Sequence, residues 1–163
     1  MDLLERLSNR RGKWCGTVAW ECDRSSMQPG LGAMAQAHDI FGEPLRPENG
    51  AEHVTTRTLR ERLAKPGDAP HKHLGEAETL AIISCRSLQS IFVTDDTDVP
   101  SLAQEHGIKT VTTWDLLRLA GHVKYVDADT LWAYIQTLRD HGRGRPPRVH
   151  DRTSFDQWLT GDS

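Results

Sequence analysis

The sequence predicts an α/β domain built on a parallel sheet, and three observations carry that expectation. Apolar runs of strand length at 90–94 (SIFVT) and 109–112 (KTVT) alternate with helical periodicity at 76–86, 100–106 and 114–120. The links between them are only a few residues long, which suits parallel strands joined by helices. Turn signals separate the runs: the acidic turn DDTD at 95–98, and Gly107 as a helix stop.

The remaining elements follow from local pattern. Leu3, Leu4 and Leu7 give 2–7 a helical spacing, followed by a basic loop at 9–13. Residues 14–20 read as a short buried strand running into a helix that begins near Val18. Residues 23–32 and 45–50 are rich in turn residues, and 54–64 has a helical pattern. The block 23–73 reads as an insertion or a cap. Asp127 or Asp129 caps a helix that runs through Leu138. Beyond Arg143 the chain is rich in Arg and Pro, with a last helical turn at 155–159. This gives a domain at 1–142 and a C-terminal tail at 143–163.

Composition narrows the class. The chain has 163 residues, with 20 Lys and Arg against 23 Asp and Glu, a net charge of -3. No window has the roughly 18 apolar residues of a membrane span, and the acidic start MDLLERL is no signal peptide. Cys15, Cys22 and Cys85 fit a reducing compartment, so a cytoplasmic location is expected. A strongly basic nucleic-acid binder is excluded at the level of total charge.

The acids deserve placing. Open parallel sheets bind ligands beyond the carboxyl ends of their strands. Asp95, Asp96 and Asp98 follow such a strand, Glu76 and Glu78 lie in the first turns of a helix, and Glu21 follows an apolar run. Carboxylates converging from three segments suit a hard cation, Mg²⁺ or Mn²⁺. Each also has an ordinary reading as a helix cap or turn residue. His71 and His73 lack the partners a zinc site needs, and Arg143-Gly144-Arg145-Pro146 resembles the core of a minor-groove hook, but a single short match in a Pro-rich tail is more often a linker.

Residues 73–120 bring several short motifs into one order: Gly75-Glu76-Ala77-Glu78, Val93-Thr94-Asp95-Asp96, Gly107-Ile108, then Thr113 with Leu116-Leu117. In that order they resemble the distal half of a PIN domain, a metal-dependent nuclease fold, and most closely a bacterial branch of small PIN proteins. Upstream, TVAWE (17–21) resembles the family's second acidic segment, where a Glu follows a strand and opens a helix. The resemblance extends to the helical stretch at 120–142.

The resemblance implies a PIN-like α/β/α sandwich with a central parallel sheet, and four acids holding one or two divalent metals. Glu21 takes the second acidic position and Glu78, or else Glu76, the third. Two residues apart on one helix, Glu76 and Glu78 cannot both face one ion. Asp96 takes the fourth, with Asp98 as an auxiliary ligand and Asp95 as a turn residue or supporting acid. The first strand and its Asp are missing, and Asp2 does not replace it because nothing apolar precedes it. A reading frame extending upstream of Met1, a circular permutation using VKYVDADTL (123–131), or a natural remnant would each account for this.

The activity implied is hydrolysis of RNA phosphodiesters by metal-activated water, in the toxin of a toxin–antitoxin pair, with an antitoxin protein covering the acidic site and a homodimer by analogy. Arg10, Arg11, Lys13 and Lys109 are candidates for a basic rim. The alternatives are a PIN-like binding or interaction module without activity, and an unrelated α/β domain whose acids are only caps.

Overall fold

The computed structural model describes residues 2–161 and divides into two compact units, Met1–Val111 and Thr112–Ser163. Unit 1 runs α1 (Asp2–Ser8), α2 (Gly16–Ser26), a 3₁₀ turn (Gly32–Gln36), α3 (Ala37–Phe41), α4 (Gly50–Leu63) and α5 (Leu74–Cys85). It continues with β1 (Ile91–Val93), α6 (Val99–Glu105) and β2 (Lys109–Val111). Unit 2 holds α7 (Thr113–His122), α8 (Ala128–Asp140) and α9 (Arg152–Thr160). The mixed α/β class is as the sequence predicts. The sheet is small: β1 and β2 pair in parallel, with Ile91 opposite Lys109 and Val93 opposite Val111.

The core of unit 1 is built around α5. Ala77, Leu80 and Ala81 are fully buried on it, between Leu59 and Leu63 of α4 and Val99, Leu102 and Ala103 of α6. The block read as an insertion or cap therefore supplies α4 to the core. Asn49 caps α4 by accepting from the Glu52 N–H at 3.0 Å, and the Glu52 carboxylate reaches back to the Glu48 N–H at 2.8 Å. The same carboxylate takes the Arg86 guanidinium at 2.8 Å, joining the start of α4 to the end of α5.

The stretch read as a strand at 14–20 is reduced to one parallel bridge between Cys15 and Leu45, and α2 starts at Gly16. Glu21 accordingly lies in the middle of α2 instead of opening it. The permuted strand at 123–131 does not form. Residues 123–126 are turn, and Asp127 caps α8 by accepting from the Thr130 N–H at 2.8 Å. The side chain of Asp2 lies outside the described residues.

Unit 2 closes on Leu131 and Ile135 of α8 together with Val149 and Phe155, so the segment beyond Arg143 fills its core. Pro146 of the hook-like motif is buried there. Thr112 with Asp115, and Asp151 with Ser154, form reciprocal capping boxes at the starts of α7 and α9. Among the described residues, no helix is long and apolar enough to cross a membrane.

Two stability outcomes follow. Leu80→Ala empties the middle of the core and is expected to cost about 2–5 kcal/mol in urea unfolding. Arg86, and next the Glu48 N–H, pull the Glu52 pKa down to about 2. A folded-state value below the ordinary one contributes stability that is present above the usual carboxylate range and is lost as pH falls toward 2. Melting temperatures taken from about pH 5 to about pH 2 should fall less steeply in Glu52→Gln than in the natural chain.

Candidate functional site

Helix α2 begins on Cys15, whose extended backbone exposes the first N–H groups but whose side chain caps none of them. The Gly16 N–H donates to the Leu45 carbonyl at 2.8 Å, and a side-chain acceptor joins it from α5. Glu78 takes the Gly16 N–H at 3.1 Å and the Thr17 hydroxyl, and is itself buried. A carboxylate at a helix N-terminus meets both free donors and the positive end of the helix dipole. Gly75 allows this approach: a Cβ there would stand 3.0 Å from Val18 Cγ2 and 3.8 Å from Glu21 Oε2.

About half a turn of helix thus separates the two glutamates by role. Glu78 is spent on α2, while Glu76 lines an open cleft of about 370 Å³ together with Glu21, His71, Lys72, His73 and Asp96. Three of the expected acids, from three segments, meet in this cleft, with Glu76 in the place expected first of Glu78. The apolar face that Leu80 and Ala81 provide is buried as expected. Partial burial, then the nearby Glu76 carboxylate, push the Glu21 carboxyl above its usual range, and His71 acts in the opposite direction.

Asp96 is held on both oxygens. Its Oδ1 accepts the Asp98 N–H at 2.8 Å, and its Oδ2 lies 3.0 Å from His73 Nδ1. The His73 side chain is 5% exposed and occupies a left-handed backbone position (φ 61°) at the start of α5. A non-glycine residue there stores on the order of 1–3 kcal/mol of strain, which this pairing helps to hold. Asp98 is engaged by Lys65, which with the neighbouring groups keeps its pKa low. Asp95 is exposed and lines a second cleft beside β1.

The fit to a divalent cation follows from these partners. The oxygen donors are chemically suitable, but Glu78, Asp96 and Asp98 are committed to internal donors. Among the described residues, no three His, Cys, Asp or Glu side chains form a group that could hold a metal ion. As placed, the acids do not fit one. The rim candidates Arg10, Arg11, Lys13 and Lys109 do not line the cleft, whose wall carries His71 and Lys72; Lys72 is paired with Asp68 at 2.7 Å. The HKH run at 71–73 showed only sparse zinc-like spacing in sequence, and nothing in it marked His73 as the partner of Asp96.

No protein-family model matches the chain, and neither a curated protein nor a solved structure matches it.

Two substitutions separate the glutamates. Glu78→Ala removes the buried acceptor of the Thr17 hydroxyl and leaves the Gly16 N–H to the Leu45 carbonyl alone, and should destabilise by about 1–3 kcal/mol, whereas Glu76→Ala should stay within about 0.5 kcal/mol in the same denaturant titration. In an NMR titration, Glu76→Gln should lower the Glu21 pKa by removing the like charge beside it.

Proposed function

We propose that the chain is a PIN-like domain whose acidic cleft acts on RNA, as an endoribonuclease of the toxin–antitoxin type that hydrolyses phosphodiesters. The convergence of Glu21, Glu76 and Asp96 on one cleft supports this reading. Burial, and next the Glu76 carboxylate, raise the Glu21 pKa, and a cation in the cleft would relieve the second of these. His71 on the same wall offers a donor to a phosphate oxygen. The reading brings with it Mg²⁺ or Mn²⁺ as cofactor, a protein antitoxin covering the cleft, a cytoplasmic setting and a homodimer. Since the acids as placed do not close on one ion, no step of the hydrolysis is assigned to a metal.

A second reading is favoured by the internal pairing of Asp96 with His73, Asp98 with Lys65 and Glu78 with α2. In that reading the same PIN-like domain is a binding module without activity.

The test is cleavage of a structured RNA by the full chain with Mg²⁺, with Mn²⁺ and with chelator, beside Glu21→Gln, Glu76→Gln and Asp96→Asn. The nuclease reading expects metal-dependent cleavage that drops about a hundredfold or more in each variant, the scale of losing one electrostatic stabiliser. Equal cleavage by all four chains would reject the acid assignment. A folded natural chain that binds RNA or a protein partner without cutting selects the module.

A further inference from the structure

Strand β1 has one bare edge. Thr94 donates its N–H to the Val111 carbonyl at 3.0 Å, continuing the ladder with β2. Backbone groups alternate between the two edges of a strand, so the N–H and C=O of Val93 point away from β2. Among the described residues, no other strand pairs with β1. Ile91 is 56% exposed and Val93 45%, while Phe92 turns toward the core of unit 1. Proteins usually blunt such an edge with a charge, a proline or a bulge, and Ile91–Val93 carries no charge and no proline.

Beside this edge is a cleft of about 250 Å³, bounded by Val18, Gly75, Glu76 and residues 92–96. Its walls are apolar along β1 and acidic at the carboxyl end of the strand, where Glu76 and Asp96 stand. Glu76 lines this cleft with no hydrogen-bond or ion-pair partner among the described residues. The strand pairings in unit 1, β1 with β2 and Cys15 with Leu45, are parallel.

We propose that this edge receives an extended segment of a protein partner as an added parallel strand, with β-branched residues along β1 and a cationic carboxyl-terminal end against Glu76. Main-chain hydrogen bonds to Val93 supply the pairing, and complementary charge at the acidic end sets register and selects the partner. The proposal does not require that the adjoining cleft cuts RNA, although Glu76 and Asp96 line both and the two occupants would compete.

The probe is a synthetic eight-residue peptide alternating valine and threonine and ending in two arginines, with a twin ending in two glutamates. Each is titrated into the full chain while backbone amide hydrogen exchange is followed by NMR. The basic peptide is expected to slow exchange of the Val93 amide about tenfold and to bind about tenfold more tightly than the acidic twin. Glu76→Lys should remove that preference. Val93→Pro, which deletes an edge N–H that β2 does not use, should abolish binding while the Thr94 amide stays protected. Equal affinity for the two peptides, or binding that leaves Val93 unprotected, overturns the proposal. Protection of Val93 by self-association without peptide also overturns it, since a second copy would then occupy the edge.

Discussion

Helix α2 has no capping side chain of its own; the Leu45 carbonyl takes its Gly16 N–H at 2.8 Å, and the side-chain acceptor that shares it stands 62 residues away, on α5. Much of unit 1 depends on that arrangement. Glu78 can reach the Gly16 N–H only because Gly75 lets the two helices approach at side-chain contact. Once the helices are in register, Ala19 packs with Trp14 and Ala37 in a small second core, and Trp14 fixes its indole N–H on the Gly42 carbonyl at 2.8 Å. The same approach brings Glu21 beside Glu76. The acidic cleft is thus a by-product of a capping interaction that uses up the neighbouring acid.

An acidic cleft and a metal site differ in what neutralises the charge. In this molecule Arg86, Lys65, His73 and backbone N–H groups do much of that work for Glu52, Asp98, Asp96 and Glu78. Glu21 and Glu76 instead face each other, with His71 acting on Glu21 from the same cleft. A buried charge released from its partner is costly, so recruiting Asp96 to any ligand means first separating it from His73. That exchange is the physical difference between the two readings of the cleft.

The sequence made the regular parts legible. The continuous apolar run of α5, buried nearly all round, and the Asp127 cap could be read locally because local pattern decides them. The facing of Glu76 and Glu78 could not, since both positions suit a first helical turn and a distant helix start chooses between them. Glu21 was read at a helix opening because the strand before it was expected to be longer than a single bridge. Helix α4 was hard to weigh for a different reason. Its core residues Leu59 and Leu63 are four apart but separated by Arg60, Glu61 and Arg62, so the buried stripe is one residue wide in a charged surface.

The position of Phe155 has a consequence for synthesis. The unit 1 core is assembled entirely from residues up to Ile108, whereas unit 2 buries Phe155 between Trp132 and Trp158 and against Leu131. During translation the first core can close while the second still lacks its central ring. For that interval α7 and α8 leave the ribosome with Trp114, Leu117, Leu131 and Ile135 uncovered, a nascent apolar surface that lasts until α9 emerges.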